Sequence, residues 1–455
     1  MSRTAVIIST KYPYPTDDGK KKVLAGFLAY LLERFGKDNV TYIVLGRQRD
    51  AAASDPPCET TWIDPPAWTA QGWNLFKSLS GIEPRSMQEA VTFSSRAKRG
   101  LDALVATLDP EILILDTLRI GQYFWSPGPT GARRILYMDD LFSLRFRRMN
   151  DVSAANETVR FDAGGTFSAM LPGLARAVIK FGAVQKLLYR LEAAKMDRRE
   201  RDCTGRFDRC LLINPNEARS LADQCPGKPI VPVTPLLFPE PCAVRRDFSG
   251  APSFLLFGSL RHPVYRASVI RFLERGMEGI IRQIPDAKVS IVGEGGGEEM
   301  DLLCSRFGRN VELRGFVDNL DEVFSTTCAL LVPLLAAGGL KLKVLTALYY
   351  GLPIVATDCS VDGIPLRDGV HFLRENDIER YPIHMARLRD VSYNLQVSRN
   401  ASALFREHYS KESVCKEYDG LLGPPGASSP TEPGSPDRAP GAWPPSNPKI
   451  TSPND

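Results

Sequence analysis

The stretch that decides the fold is GGLKLKVLTALYYGLPIVATD, residues 338–358. Two glycines precede an apolar helical pattern, lysines stand at 341 and 343, and a further glycine ends the pattern before the short apolar run PIVATD. Cations at the positive end of a helix are disfavoured by the helix dipole, whereas an anion between them is stabilised. The stretch therefore predicts a helix that begins on bare backbone and holds an anionic ligand.

The second half of the chain alternates apolar strands with helical segments. The strands are SFLLFGS (253–259), AKVSIVGEG (287–295), VELRGFV (311–317), CALLVPL (328–334) and PIVATD (353–358). Strands that read as continuous apolar runs are typical of a parallel sheet covered by helices on both faces. We expect this half to form one α/β domain.

The first half predicts a second domain of the same class. The strands AVIIST (5–10) and VTYIVLG (40–46) flank a helical pattern at 23–36, which is the order of a βαβ unit. Two later strands, EILILD (111–116) and RILYMDD (134–140), end in carboxylates. The sequence therefore predicts an α/β fold of two Rossmann-like domains.

Composition places the boundary between the two domains. Residues 226–241 contain six prolines, too many for regular structure and suited to a stiff connector. We assign residues 1–245 to the first domain, with the hinge at 226–245, and residues 246–422 to the second. The Pro/Ser/Gly-rich segment 423–455 is expected to be disordered.

Charge and residue counts exclude several classes of protein. A net charge of +4 gives no overall basic field for nucleic acid. Nine cysteines without a C-x-x-C pair are interpreted as reduced thiols of a cytosolic chain. All four histidines lie in the second half, so the first domain is expected to lack a His-based triad or metal site. We also expect no secretory signal and no membrane span.

Candidate functional residues lie where predicted strands end, because ligands of open α/β sheets bind at the carboxyl ends of the strands. The first turn, KYPYPTDDGKKK (11–22), puts Asp18 and Gly19 beside three lysines, which suits an anion, a sugar or a merely solvated turn. Asp139 and Asp140 are candidate acid–base residues, and helix capping with Arg145 as a structural partner is the alternative for both.

In the second domain, Arg261 and Arg266 follow a strand and could bind phosphate with paired hydrogen bonds, or simply lie on a solvated turn. Gly338 and Gly339 could offer free backbone N–H groups to an anion shared with a lysine at 341 or 343. The glycines of VGEGGGEE (292–299) do not fit a dinucleotide-binding motif, because Glu298 occupies the third glycine position.

Taken together, the ordered segments resemble the GT-B glycosyltransferases of the glycosyltransferase family 4 (group 1) kind, over most of residues 4–420. The segments are YPYPTDDGKKKVL, FLLFGSLRHP, AKVSIVGEG, VELRGFVDNLDEVF, LLVPLLAAGGLKLKVLTALYYGLPIVATD and VDGIP. The resemblance implies two domains facing across a cleft, with a nucleotide-sugar bound on the second and the acceptor mainly on the first.

The resemblance also implies roles for individual residues. Gly338, Gly339 and Lys341 would hold the donor diphosphate with help from Arg261 or Arg266. The remaining roles are catalysis for Asp139, Asp140 and Lys343, donor ribose or base contacts for Gly293, Asp318 and Thr346, and the acceptor side for Asp18 and Gly19. The implied enzyme is a retaining hexosyltransferase that needs neither a metal nor a bound cofactor.

One position departs from the family. Thr346 stands where the family normally has a glutamate that accepts hydrogen bonds from the donor ribose. Threonine brings no charge, and loss of a charge-assisted hydrogen bond costs roughly 1.5–3 kcal/mol. Donor binding would then be weaker, arranged differently, or supported by Asp318, Asp358 or Asp362.

Two functions remain open at the level of sequence. The first is a cytoplasmic transferase that moves a sugar to a glycan or lipid-linked acceptor in cell-surface polysaccharide assembly. In that case the basic helical segment at 173–200 would contact the inner face of the plasma membrane, with a solvated helix face as the alternative. The second is a catalytically degenerate protein of the same fold that binds a regulatory partner. A nucleotide-sugar 2-epimerase and a dinucleotide oxidoreductase are disfavoured.

Overall fold

A computed structural model describes residues 4–47, 56–126, 131–155, 182–317, 319–336 and 338–423 of the protein. These residues build two separate parallel sheets, one of seven strands and one of six. The strand orders are β3-β2-β1-β4-β5-β6-β7 and β10-β9-β8-β11-β12-β13. The predicted class, two Rossmann-like α/β domains, is confirmed.

The strands of the first sheet are β1 (Ala5–Ser9), β2 (Val40–Leu45), β3 (Glu59–Ile63), β4 (Ile112–Asp116), β5 (Arg133–Asp139), β6 (Arg209–Leu212) and β7 (Ile230–Pro232). Those of the second are β8 (Ser253–Phe257), β9 (Lys288–Val292), β10 (Val311–Gly315), β11 (Ala329–Val332), β12 (Ile354–Ala356) and β13 (Leu373–Arg374). Strands β1 and β4 of the first sheet and β11 and β12 of the second are fully buried. This burial explains their continuous apolar sequences.

The helices of the first domain are α1 (Gly19–Phe35), α2 (Trp68–Leu79), α3 (Met87–Thr92), α4 (Ser95–Leu108), α5 (Thr117–Gly121), α6 (Phe142–Ala155), α7 (Gly182–Cys203) and α8 (Pro215–Gln224). Those that follow are α9 (Pro263–Gln283), α10 (Glu298–Ser305), α11 (Leu320–Thr326), α12 (Leu342–Tyr350), α13 (Asp358–Val361), α14 (Tyr381–Arg387), α15 (Val391–Tyr409) and α16 (Lys411–Leu422).

Three local expectations differ from the structure. Helix α12 begins at Leu342 rather than at the glycines, because Gly339 adopts a left-handed φ of 62° that cannot continue into a helix. The Pro-rich connector is not wholly irregular, since Ile230–Pro232 adds an edge strand, where proline is tolerated. The strands β3 and β13 were not predicted.

Helix α1 packs unusually close to the connector that follows β7. A Cβ atom on Gly26, in the middle of α1, would lie 1.7 Å from the carbonyl oxygen of Leu236. Glycine in a helix interior normally costs stability, so its presence here is explained by this backbone contact. The glycine lets α1 lie against the chain that leads into the second domain.

Helix α7 caps two other helices with buried carboxylates. Glu192 accepts hydrogen bonds from the backbone N–H groups of Met87 (2.7 Å) and Gln88 (3.1 Å) at the start of α3. Glu200 accepts from the backbone N–H of Ser143 (3.0 Å) in the first turn of α6. Burial raises the pKa of both carboxyl groups to about 7. Helix α7 therefore positions the segment that begins directly after Asp140.

The last helix returns to the first domain. In α16 the Tyr418 ring lies 4.9 Å from Phe27 and 5.0 Å from Tyr30, measured between ring centroids, and its hydroxyl donates to the Thr234 carbonyl (2.8 Å). The chain therefore crosses between the domains twice. The boundaries predicted at 245 and 422 stay predictions, while the last strand of the first sheet ends at Pro232 and the second sheet starts at Ser253.

Two further observations concern the described part of the chain. All nine cysteines are free thiols. Among the described residues, no helix is both long and apolar enough to cross a bilayer. Most of the predicted tail and part of the basic segment at 173–200, residues 173–181, lie outside the described residues.

Candidate functional site

The carboxyl ends of the two sheets face each other, and their turns touch. A Cβ atom on Gly19, after β1, would lie 2.8 Å from the Leu342 side chain at the start of α12. A Cβ atom on Gly339, after β11, would lie 3.1 Å from the Cβ of Asp140, after β5. Ligands of parallel α/β sheets bind at these ends, so the junction is the candidate site.

The turn before α12 exposes polar backbone to this junction. Lys341 is the N-cap residue of α12, but its side chain makes no capping hydrogen bond to the helix. Its ammonium instead folds back on the turn and donates to the carbonyl oxygens of Gly338 and Gly339. The Gly339 N–H points the other way and donates to the carboxylate of Glu217 (2.8 Å), across the junction. The turn thus presents one N–H group to an anionic group.

Lys343 is a basic side chain without a counter-ion among the described residues. Its ammonium lies 3.2 Å from the centre of the Tyr265 ring, and a Cβ atom on Gly258 would lie 2.6 Å from its Nζ. No hydrogen bond or ion pair to Lys343 is found in the described part of the chain. Burial and the neighbouring Lys341 lower the pKa of Lys343 well below its ordinary value. Such an environment favours binding of an anion.

Cations from both domains converge on the same point. Burial, then Arg145, Lys343 and Lys341, lower the pKa of His262 to about 4, so His262 is neutral near pH 7. Burial and Arg145 lower the pKa of Lys341 to about 8. These side chains raise the electrostatic potential at one another's positions. An anion bound among them would relieve that mutual repulsion.

Glu217 supplies the opposing negative charge. Its side chain is fully buried at the start of α8, and it accepts from the Leu141 N–H (2.8 Å) of the first domain as well as from the Gly339 N–H of the second. Burial and the nearby Asp140 raise the pKa of the Glu217 carboxyl group to about 7. A single carboxylate therefore joins the two turns of the junction.

Asp140 lies in the same junction as an ion pair with Arg145. Asp140 is buried, one of its oxygens contacts the Arg145 guanidinium, and the other has no hydrogen-bond partner among the described residues. Burial would lower the pKa of Arg145, but Asp140 and Asp139 raise it above its ordinary value. Arg145 therefore pairs with a carboxylate of the first domain and lies against the glycine turn of the second, since a Cβ atom on Gly338 would lie 3.3 Å from the Arg145 Cβ.

Asp139 belongs to a separate cluster deeper in the first domain. The Lys20 ammonium bridges Asp139 (3.2 Å) and Asp116 (2.6 Å), and Ser9 donates to Asp116 (2.6 Å). Asp139 and Thr117 have left-handed φ values of 73° and 65°. Such backbone strain in non-glycine residues clusters at functional sites. This cluster lies at the carboxyl ends of β1, β4 and β5.

The structure brings together only part of the predicted donor set. Gly338, Gly339, Lys341 and Lys343 lie at the junction. By contrast, the exposed Arg261 pairs with Glu294 (3.1 Å).

Arg266 is also occupied away from the junction. Its guanidinium contacts the Gly295 and Gly296 carbonyls and pairs with Glu299 (2.6 Å). Both arginines thus serve the turn that follows β9, and phosphate binding by either stays a prediction.

The remaining predicted residues have local partners. Asp18 caps α1 by accepting from the Lys21 N–H (2.8 Å) and pairs with Lys11. The Thr346 hydroxyl donates to the Leu342 carbonyl one turn earlier in α12 (2.9 Å). Position 293 requires glycine because the Gly258 backbone lies too close for a side chain: a Cβ atom there would lie 2.0 Å from the Gly258 carbonyl oxygen. Asp318 lies outside the described residues.

Glu217 was not predicted from the sequence, and Arg145 was interpreted only as a structural partner of the two carboxylates. Glu217 follows β6 as part of NPNE, where Asn214 caps α8 and proline occupies its first turn. That pattern predicts an ordinary helix start, with an acidic residue at a favourable position. Only the tertiary structure brings the carboxylate to the glycine turn of the other domain.

Comparison with known proteins identifies the second domain. Residues 251–389 match the family model described as Glycosyl transferases group 1. An "Uncharacterized 44.6 kDa protein in cps region" of Klebsiella pneumoniae is 23% identical over 237 residues, which cover 50% of this chain. The match spans 60% of the length of that curated relative.

Solved structures resemble the whole chain at low sequence identity. TarM has a TM-score of 0.65 and 9% identity, with 93% of this chain and 99% of TarM covered. HepE from Anabaena in complex with UDP-glucose has a TM-score of 0.58 and 9% identity, with 92% and 99% covered. WaaG, described as a glycosyltransferase involved in lipopolysaccharide biosynthesis, has a TM-score of 0.56 and 11% identity, with 92% and 100% covered. The chain therefore has the GT-B glycosyltransferase fold, and its second domain matches the Glycosyl transferases group 1 family.

Proposed function

We propose that this protein is a glycosyltransferase that moves a sugar from a nucleotide-diphosphate sugar to a hydroxyl group of a glycan or lipid-linked acceptor. The observation that carries the proposal is the partly buried Lys343, whose amine has no counter-ion among the described residues and lies beside a glycine turn and Lys341. A diphosphate supplies the missing negative charge. The match to group 1 glycosyltransferases supports a nucleotide-sugar as the source of that diphosphate.

In this proposal the junction binds the donor on its cationic side. Lys341, Lys343 and Arg145 would neutralise the diphosphate, and the Gly339 N–H would donate to one of its oxygens in place of Glu217. The neutral His262 could donate or accept a hydrogen bond, according to its tautomer. Protein cations would then stabilise the leaving nucleoside diphosphate without a metal ion.

The chemical step would transfer the glycosyl group with retention of configuration. The bond from the anomeric carbon to the diphosphate oxygen breaks, and a bond to the acceptor oxygen forms on the same face. The acceptor proton would pass to the departing phosphate, a route that suits an acceptor domain without histidine. The Lys20–Asp116–Asp139 cluster would orient the acceptor. Asp140, through its oxygen without a hydrogen-bond partner, would hold a sugar or acceptor hydroxyl.

Thr346 would replace the usual ribose-binding carboxylate with a weaker contact. Its hydroxyl proton is used inside α12, so only the oxygen lone pairs can accept from a ribose hydroxyl. We expect a donor affinity lower than that of a glutamate-containing site. The relative in a cps region supports cell-surface polysaccharide assembly as the setting.

The first test is thermal stabilisation by UDP, GDP, ADP, TDP and their common sugars. A ligand at 100 times its Kd adds about 2.7 kcal/mol to folding stability, which is visible as a rise in melting temperature. We expect one base to stabilise the protein and Lys343→Ala to abolish the shift. Lys288→Ala, an exposed lysine of the same domain, is the matched control and should retain it.

The same assay separates the transferase from a degenerate binding protein. Slow hydrolysis of the stabilising nucleotide-sugar, lost in Lys343→Ala, would support turnover. No melting shift with any nucleotide at millimolar concentration would contradict the proposal and leave the degenerate protein as the better account.

A further inference from the structure

Helix α2 carries a large apolar surface that the transferase site does not explain. Trp68, Trp73 and Phe76 are 77%, 59% and 55% exposed, and Leu79 and Ile82 at the end of the helix are exposed as well. These five side chains are here called the aromatic face. Only Ser78 among the helical residues of α2 is buried. So many large apolar side chains within one short segment mark a surface that something else covers.

The chemistry of the aromatic face is that of a lipid interface. Residues 65–82 contain a single charged side chain, Lys77, whose ammonium lies 5.6 Å from the Trp73 ring centre. Tryptophan combines an apolar body with a polar N–H group, which is why it concentrates at the boundary between membrane and water. A helix with such a face typically lies in the plane of that boundary.

Helix α7 extends the apolar surface. Leu187 and Leu191 are exposed and lie on the helical stripe that continues to Lys195, because residues four apart share a face. The Lys195 ammonium approaches the carbonyl oxygen of Glu83 (3.4 Å), directly after the aromatic face ends at Ile82. The exposed stripe of α7 therefore leads to the end of the aromatic face.

The exposed stripe of α7 is also positively charged. Arg190 and Arg198 are exposed and Lys186 is partly exposed, whereas Glu192, the one acidic residue from 184 to 196, is buried as the cap of α3. Anionic lipid headgroups attract such basic residues by about 1 kcal/mol each. Apolar and basic side chains therefore share one surface without an exposed carboxylate between positions 184 and 196.

We propose that the aromatic face of α2 and the basic stripe of α7 dock the protein on an anionic lipid bilayer. The rings of Trp68, Trp73 and Phe76 enter the interface, and Lys186 and Arg190 contact the headgroups. A second copy of the chain is a poorer occupant. A two-fold interface on this surface would bring its like charges together, because the same patch faces itself.

This surface is separate from the donor site, so its test needs no nucleotide. The protein is sedimented with vesicles of phosphatidylcholine and with vesicles in which one third of the lipid is phosphatidylglycerol. We expect binding to the anionic vesicles that weakens at high salt, since salt screens the headgroup attraction. Vesicles with brominated acyl chains should quench tryptophan fluorescence.

Two variants test the two components of the surface. Trp68→Ser/Trp73→Ser/Phe76→Ser should weaken vesicle binding by about tenfold or more, because three large side chains no longer enter the interface. Lys186→Gln/Arg190→Gln should weaken it roughly tenfold on anionic vesicles and hardly at all on neutral ones. The matched control, Leu302→Ser/Phe316→Ser, removes exposed apolar side chains of the other domain and should bind like the parent.

Two results would overturn the proposal. One is a parent protein that fails to bind anionic vesicles, and the other is a triple serine variant that binds as well as the parent. A concentration-dependent dimer that the triple serine variant dissolves, without vesicle binding, would assign the surface to a second copy. Both variants alter exposed side chains, and an unchanged melting temperature verifies their folding.

Discussion

Single residues at the junction have roles that depend on their neighbours. Lys343 and Lys341 would be ordinary surface cations on an isolated helix, yet burial lowers the pKa of both, with a further decrease from Arg145 for Lys341 and from Lys341 for Lys343. The sequence places Glu217 in the first turn of a helix. In the structure its carboxylate accepts the hydrogen bond from the Gly339 N–H of the other domain. The charge of Glu217 and the charge of a diphosphate would compete for the same position.

Glu217→Gln is therefore expected to tighten donor binding. The amide keeps a hydrogen-bond acceptor but removes a negative charge beside the diphosphate, a gain of roughly three- to tenfold in affinity. Titration calorimetry with the stabilising nucleotide-sugar measures the effect. Weaker binding by the variant would show that Glu217 organises the turn rather than competing with the ligand.

The pH dependence of donor affinity tests the same competition. Glu217 has a pKa of about 7 and Lys341 a pKa of about 8, so as the pH falls from 9 to 6 Lys341 gains its positive charge and Glu217 then loses its negative one. Donor affinity should thus rise from pH 9 to pH 6. In Glu217→Gln the part of the rise near pH 7 should disappear, and the part near pH 8 should remain.

At the scale of elements, backbone proximity decides the arrangement as much as apolar burial does. Helix α1 reaches the connector only because Gly26 leaves room for the Leu236 carbonyl. The apolar helical pattern at 23–36 predicted this helix, although its start at Gly19 was missed. The contact with residue 236 could not be predicted, since it joins segments far apart in the chain.

Gly26→Ala is expected to destabilise the protein despite the better helix propensity of alanine. The added methyl group would meet a carbonyl oxygen of the backbone, which cannot rotate away, at a cost of about 2 kcal/mol or more. Gly72→Ala, in α2 with no atom within 4 Å of the added Cβ, is the control and should stabilise by about 0.5–1 kcal/mol. Urea unfolding measures both, and equal effects would contradict the contact.

At the scale of the whole molecule, the sequence predicted the two α/β domains correctly, whereas helix α12 starts three residues after the glycines that were expected to open it. Continuous apolar strands and strand-to-helix turns are local signals, so they can be read without tertiary information. The cationic cluster could be predicted only in part. Lys341 and Lys343 lie next to the glycines in sequence, whereas Arg145 and Glu217 come from the other domain. Arg261 and Arg266 contact the turn after β9, and phosphate binding by either stays a prediction.

Removal of α16 is expected to destabilise the first domain although the helix follows the second domain in the sequence. A protein ending at Ser410 lacks the Tyr418 ring that packs against Phe27 and Tyr30. It also lacks the Glu417 carboxylate that accepts from the Thr234 N–H (2.9 Å). Losing a buried aromatic side chain alone costs about 3–5 kcal/mol. A protein ending at Gly423 is the control. Equal melting temperatures for the two would show that α16 adds nothing to the first domain.

The return of α16 also imposes an order on synthesis at the ribosome. Domains generally fold as they emerge, and the strands of the first sheet, which end at Pro232, leave the ribosome first. The outer side of α1, with Phe27 and Tyr30, nevertheless stays uncovered until residues 411–422 appear. The nascent first domain therefore carries an exposed aromatic surface throughout translation of the second, and chaperones would meet the chain at that surface.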